Sequence, residues 1–436
     1  MNSESKENGV DQIESIGFSD WFSIEIEDFV NKVEGLIDTV PIVMSMVESR
    51  LKSNLGKYEE FKREGIVEDV EEERMVKIKL ENFSEYKKVN RTIQASKTAY
   101  HIIPRNFIVS LVSSYDAYLG NLIKLIFNVY PDKLNQSEKQ LTFSELSQFE
   151  DLDEARDFII EKEIETVLRK SHHEQIKWLE NKLSMPLRKG LEIYPTFIEV
   201  TERRNLFVHT DGIVSRQYLK VCLDHKVKLD KNLSIDDSLG ASPIYIKKAA
   251  NAIFEMGVKL GHVIWRKLLP NELKKADSEL NNLCYELMYY GDYELAQKIL
   301  KFGFEELKKY GNQDTKLTMC INYALSFYLD GKYGMCNNIL DQNDWSATKD
   351  KFQLAVAVLK KDYESAVSFM RKIGPNNDEV NPVSYMEWPL FDDFRKYDLF
   401  KEVYKEIYEK EFQIMDREPK NFVKLMNRIE GKYEEE

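Results

Sequence analysis

Glycine and proline are scarce in this chain, at 18 and 11 of 436 residues. So small a supply of turn formers excludes an all-β design and points to long helices. Cysteine is scarce as well. Cys222, Cys284, Cys320 and Cys336 form no CxxC pair and no tight cluster. That sets aside a disulfide scaffold and a zinc site, and leaves buried thiols in a reducing compartment. No long apolar run is present. The most apolar stretch, Phe107 to Phe127, is interrupted by Asp116 and Lys124 and has a helical period, so it reads as a buried helix and not as a membrane span. The opening residues, Met1-Asn2-Ser3-Glu4-Ser5-Lys6-Glu7, contain no apolar core of an export signal, so a cytoplasmic protein without membrane contact is expected. Positive charge is in deficit: 62 Lys and Arg stand against 75 Asp and Glu, a net charge of −13. Such a chain cannot attract phosphate over its whole surface, and any nucleic-acid contact must use a local basic patch. Also missing are a Gly-rich phosphate loop, a GxSxG elbow, an HExxH pair and an EF-hand loop, which argues against kinase, hydrolase, zincin and calcium-sensor functions.

What remains is ample for a folded protein. Apolar residues make up 43% and aromatic residues 12% of the chain, enough for a substantial core spread over two to four domains at roughly 100–200 residues each. The expected class is all-α. From Trp21 to Phe61, Phe22, Ile26, Phe29, Val30, Val33, Ile37, Ile42, Met46 and Val47 recur at helical spacing, and two helices broken near Pro41 are expected. The charge-rich stretch Glu59 to Glu81 fits either a charged helix or a short β-pair. Asn82 to His101 reads as one helix, with Pro104 opening the next. Further helices are expected around 143–149, 153–169, 174–183, 195–211, 217–222 and 244–268, with a polar excursion loop over 227–243.

The last third repeats itself. Gly291-Asp292-Tyr293-Glu294-Leu295-Ala296, Gly331-Lys332-Tyr333-Gly334-Met335-Cys336 and Lys361-Asp362-Tyr363-Glu364-Ser365-Ala366 share a Tyr-x-x-small core. Each follows an apolar helix that carries a small residue: Cys284, Ala324 or Ala355. Small residues let paired helices approach closely. The pattern resembles tetratricopeptide (TPR) repeats in a degenerate, irregularly spaced form. A fourth unit is expected from Trp388-Pro389 through Phe394, Tyr397 and Phe400 to Ile414.

One segment carries chemistry: Glu199-Val200-Thr201-Glu202-Arg203-Arg204-Asn205-Leu206-Phe207-Val208-His209-Thr210-Asp211-Gly212. Its Arg-Asn-x-x-x-His core resembles the R-x(4–6)-H signature of HEPN domains. These all-helical domains are often found as ribonucleases in toxin–antitoxin, abortive-infection and RNA-guided defence systems. The helix Phe107–Phe127 followed by Tyr130-Pro131 is similar to the first long helix of such domains, and Trp178-Leu179-Glu180 and Tyr218-Leu219 match similar flanking positions. The resemblance implies an N-terminal helical region over 1–99, a HEPN-like helical bundle over 100–268 and TPR-like helical hairpins over 272–436. It further implies a metal-independent endoribonuclease acting in bacterial antiviral defence, needing no cofactor and leaving a 2′,3′-cyclic phosphate and a 5′-OH. Two motifs usually meet across a dimer interface in this family, so a homodimer is expected, with a protein or peptide trigger or inhibitor on the TPR-like part.

The residue types suit that reaction. RNA cleavage without a metal needs the 2′-OH deprotonated, the phosphorane charge stabilised and the leaving 5′-oxygen protonated. A histidine moves protons near neutral pH, and an arginine grips phosphate oxygens while staying charged. The expected catalytic pair is therefore His209 and Arg204, supported by Asn205, Arg203 and Asp116. Glu199 and Glu202 are candidates to pair with either Arg203 or Arg204 along the helix, and Arg203 reads mainly as structural. Asp116 is either a partner of Arg204 or a polar packing group within its helix. Asn205 and His209 are four residues apart and share a helix face, whereas Arg204 and His209 are five apart, about 140° around the helix. One copy alone aims them imperfectly. From Arg203 to Lys228 six Lys or Arg stand against two acids, a local basic segment in an acidic chain.

Other histidines carry blander expectations. His172-His173 reads as a surface pair without metal-ligand spacing. His101, His225 and His262 read as isolated structural or exposed residues. Where some HEPN toxins carry a modifiable tyrosine two residues after the histidine, this chain has Asp211, which departs from that route of neutralisation. The competing function is a catalytically inactive HEPN–TPR adaptor or regulatory binding protein of a defence or toxin–antitoxin system.

Overall fold

The computed structural model describes residues 17–70, 73–136, 141–413, 422, 425 and 426; the expectations for the N-terminal residues before 17, for Ile414 and for the C-terminal tail fall outside them. Among the described residues the protein is all-α apart from one hairpin. In chain order the helices are α1 (Phe18–Glu64), α2 (Phe83–Val129), α3 (Phe143–Leu146), α4 (Leu152–Leu168), α5 (His172–Leu183), α6 (Tyr194–His209), α7 (Arg216–Asp224) and α8 (Pro243–Leu268). They continue with α9 (Leu273–Tyr289), α10 (Tyr293–Lys301), α11 (Gln313–Leu329), α12 (Tyr333–Leu340), α13 (Asp350–Leu359), α14 (Tyr363–Ile373), α15 (Pro382–Glu387) and α16 (Asp398–Tyr408). Strands β1 (Ile66–Val70) and β2 (Glu73–Lys77) form an antiparallel pair with Ile66 opposite Lys77. The charge-rich stretch thus divides: its start prolongs α1 and the remainder makes the hairpin. Among the described residues no helix is long and apolar enough to cross a membrane.

Two sequence expectations fail at prolines. Pro41 does not break α1 and Pro104 does not open α2; each lies inside a 47-residue helix. A proline in a helix forfeits one backbone hydrogen bond and crowds the preceding turn, at roughly 3 kcal/mol. Here burial offsets that cost. Val40, Pro41 and Met44 are buried on α1, and Pro104, Ile108, Leu111 and Val112 on α2. α1 and α2 pack along each other, and both pack on α8. Away from the body the pair is held more sparingly, by Val89 and Ile93 and by a stack of Tyr58 on Tyr86 with centroids 5.5 Å apart.

One continuous apolar cluster extends from Phe22 to Met426. Helix α8 runs through its middle: Trp265 is fully buried against Phe22, and a Cβ on Gly257 or Gly261 would run into Phe29 or the Tyr118 hydroxyl. The last third consists of stacked helical hairpins, α9/α10, α11/α12 and α13/α14. The three turns superpose in chemistry. Gly291, Gly331 and Lys361 all take left-handed backbone, and the N–H groups of Asp292, Lys332 and Asp362 each bond the carbonyl five residues back, a Schellman closure. The small residues Cys284, Ala324, Ala355, Ala296, Cys336 and Ala366 are all buried where the paired helices touch. In place of a full fourth hairpin, short 3₁₀ turns at Pro389–Phe391 and Phe394–Lys396 lead into α16.

Candidate functional site

The Arg-Asn-x-x-x-His segment closes α6. Its helix starts at Tyr194 with Pro195 in the first turn and buries Phe197, Ile198, Val200 and Leu206. Two consecutive arginines leave this helix in different directions. Arg203 Nε donates to Glu199 Oε1 at 2.7 Å, and its guanidinium lies 3.8 Å from the centre of the Tyr245 ring. Glu199 also accepts from the hydroxyls of Tyr218 (2.8 Å) and Tyr245 (3.1 Å). The carboxylate is 1% exposed and satisfied on both oxygens. Arg203 is thus a structural element, as the spacing suggested.

Arg204 turns to α2. Its Nη2 donates to Asp116 Oδ2 at 2.9 Å, and the other oxygen of Asp116 lies 2.9 Å from His172 Nε2 at the start of α5. Asp116 therefore bridges a guanidinium and an imidazole drawn from two other helices. Arg204 Nε is buried and takes no partner among the described residues. The guanidinium thus keeps donor capacity after its bond to Asp116. Glu202 closes the cluster. It accepts a hydrogen bond from the Asn205 side chain; burial pushes its carboxyl above the usual range, and nearby His172, the Asn205 bond and Arg204 pull it back. Asn205 accordingly pairs with Glu202 within this chain, not with His209. The ring of His172 packs against the contacting pair Tyr115 and Phe197, at 6.1 and 5.8 Å.

His209 stands apart. It is exposed at the C-terminal end of α6 and makes no hydrogen bond or ion pair among the described residues. Within the described chain no contact joins it to Arg204. The turn just past His209 is held firmly. Asp211 and Gly212 both take left-handed backbone, and Arg105 Nη1 donates to the Asp211 carbonyl (2.9 Å) and carboxylate (2.7 Å). A Cβ on Gly212 would stand 2.7 Å from the Leu239 carbonyl. The polar stretch after α7 folds back over this turn, with Leu239 N–H donating to the Gly212 carbonyl and Leu229, Leu233 and Leu239 packing on Leu206, Val214, Tyr218 and Cys222. Arg105 and Asp116 are eleven residues apart on α2, three helical turns, and so share a face. One helix face therefore grips both ends of the segment.

The histidine pair is corrected by the structure. His172 is not a surface residue: it is 6% exposed and bonded to Asp116. His225 is not isolated either, since its ring lies 4.5 Å from that of His173. His262 is fully buried against Trp265, and burial together with Arg266 drives it down to about 3. Sequence reasoning had missed Arg105 and His172 as members of the site. The three-turn spacing from Asp116 was a usable signal for Arg105. For His172, 56 residues from its partner, there was none. Among the described residues no group of three or more His, Cys, Asp or Glu is placed to hold a metal ion. No family model, curated protein or solved structure matches the chain.

Proposed function

We propose that the chain is a HEPN-type, metal-independent endoribonuclease that acts as a growth-arresting effector in bacterial antiviral defence. The observation that carries the reading is the state of Arg204: a guanidinium fixed by Asp116 and still a fifth exposed, on the same short helix segment as an exposed His209 that makes no hydrogen bond or ion pair among the described residues. A cation already oriented by a carboxylate meets developing phosphorane charge without reorganising, which is where such groups contribute most. His209 moves the proton between the 2′-OH and the 5′-oxygen. The products are a 2′,3′-cyclic phosphate and a 5′-OH. Because the two side chains do not meet within one chain, the site is completed across a homodimer, with Arg204 of one subunit beside the histidine at position 209 of the other. The stacked C-terminal hairpins, read as TPR-like, offer a concave surface for a protein or peptide that triggers or restrains the nuclease.

The test is a gel of total RNA after brief expression. Wild type degrades a discrete RNA class and arrests growth, while His209→Ala and Arg204→Ala leave RNA intact. Sedimentation of the purified protein gives a dimer. The same separation of His209 from Arg204 favours a second reading, a HEPN–TPR adaptor without catalysis. In that case RNA survives wild-type protein, and the two substitutions change only partner capture.

A further inference from the structure

The neighbour of His172 faces a different space. His173 on α5, Arg188 and Lys189 in the α5–α6 connection, Tyr194 at the start of α6 and His225 just past α7 converge on an open cleft of about 620 Å³. We propose that this cleft is a binding site for a terminal phosphate, a phosphate monoester dianion, separate from the Arg204 cluster.

The cleft is built around a fixed arginine. Glu180 Oε2 accepts from Arg188 Nε (3.0 Å) and Nη2 (2.6 Å), and Glu180 Oε1 accepts from the backbone N–H groups of Leu187 and Arg188 at 2.9 and 3.0 Å. Glu180 thus balances the charge of Arg188 and holds its remaining amino group, Nη1, against the His173 ring, 3.0 Å from Nε2. Tyr194 Oη lies 2.9 Å from the other ring nitrogen. An imidazole that accepts from an arginine on one side is held neutral. Burial, His225, Arg188 and Lys177 all push His173 below the ordinary range, against Glu174; burial and Arg188 push His225 down, against Asp224. Lys189 is exposed and makes no ion pair among the described residues. The cleft therefore combines a lysine without an ion-pair partner among the described residues with the imidazole of His225, packed on His173 at 4.5 Å, whose neutrality a negative group beside it would reverse.

Those groups match one ligand chemistry. A dianion beside Lys189 leaves one negative charge uncompensated, and the nearest means of meeting it is a proton on His225, since both ring nitrogens of His173 are engaged by Arg188 and Tyr194. A terminal phosphate offers three oxygens to His225, Lys189 and the Tyr194 hydroxyl. A diester linkage offers two oxygens and one charge, which Lys189 alone balances, and gives His225 no reason to take up a proton.

The experiment is calorimetry on the full chain with inorganic sulfate, which stays dianionic across the pH range, and with 5′-AMP. Sulfate affinity should rise as the pH falls from 8 toward 6, by up to about tenfold per unit for one proton taken up, and heats in buffers of different ionisation enthalpy should give uptake near one proton per anion. Lys189→Gln and His225→Gln should each weaken 5′-AMP binding at least about tenfold, equivalent to roughly 1.4 kcal/mol, with melting temperatures unchanged in the absence of ligand. Arg204→Ala should bind as wild type, so that loss of this site and loss of RNA cleavage are read separately. A 5′-phosphorylated oligoribonucleotide that binds where its 5′-hydroxyl twin does not identifies an RNA end as the source; binding of 5′-AMP alone identifies a free mononucleotide. The proposal is overturned if no anion binds saturably up to roughly 10 mM, or if both variants bind as wild type does.

Discussion

Arg203 and Arg204 are adjacent in sequence and opposite in circumstance. Arg203 is enclosed with Glu199, Tyr218 and Tyr245 in a network that satisfies both carboxylate oxygens. Arg204 reaches a carboxylate that is a quarter exposed and shared with a histidine, and keeps a donor unused. The difference separates two uses of one side chain. A buried, saturated pair fixes how α6, α7 and α8 meet. A half-open pair leaves part of its guanidinium exposed, which is the feature the proposed function uses.

The comparison can be broken most forcefully on the buried side. Arg203→Ala leaves Glu199 charged, buried and short of its cation, and should cost about 3–5 kcal/mol in denaturant unfolding. Unfolding within about 1 kcal/mol of wild type would remove the distinction between the two arginines. On the open side the expected loss is in function. Arg204→Ala should lower RNA cleavage by roughly 10²–10³-fold, yet cost only about 1 kcal/mol of stability or less. A melting temperature that falls as far as that of Arg203→Ala would place Arg204 with the structural set. Gly212→Ala should be intermediate, about 1–3 kcal/mol, because its backbone is left-handed and the new methyl meets the Leu239 carbonyl. The smallest effect belongs to Glu202. Burial raises its carboxyl above the ordinary range, so the fold favours the protonated form, and that contribution is present at low pH and lost as pH rises through the raised value. Glu202→Gln should therefore gain slightly on wild type at about pH 7 and match it near pH 4, and a flat difference between those pH values would contradict the assignment.

How much of this could be read from the chain alone depends on the range of the interactions. The helices of the last third were legible because their determinants are local: a tyrosine, a small residue three positions later and a turn residue just before it. The structure adds that Lys361 takes the left-handed position that Gly291 and Gly331 fill more readily, so the third turn keeps the geometry of the other two without their glycine. The prolines misled for the converse reason. Pro41 and Pro104 carry a strong local signal for a break, and only packing between α1, α2 and α8, invisible to a local reading, overrides it. At the site the same rule holds. Arg203–Glu199 is one helical turn and was foreseeable. Arg204–Asp116 spans 88 residues and was one of two readings of Asp116. His172 on Asp116 required the fold.

The two mid-helix prolines have a mechanical consequence. They sit at similar heights on α1 and α2, so the paired rods each lack a backbone rung at the level where they leave the body. Beyond that level the rods continue for about 20 residues, roughly 30 Å of lever, to the β1–β2 tip. A change of about 10° at the missing rungs sweeps the tip through roughly 5 Å, while Arg105, one residue past Pro104, keeps its grip beside His209. Load applied to the tip is thereby delivered to the base of the rod that holds the motif.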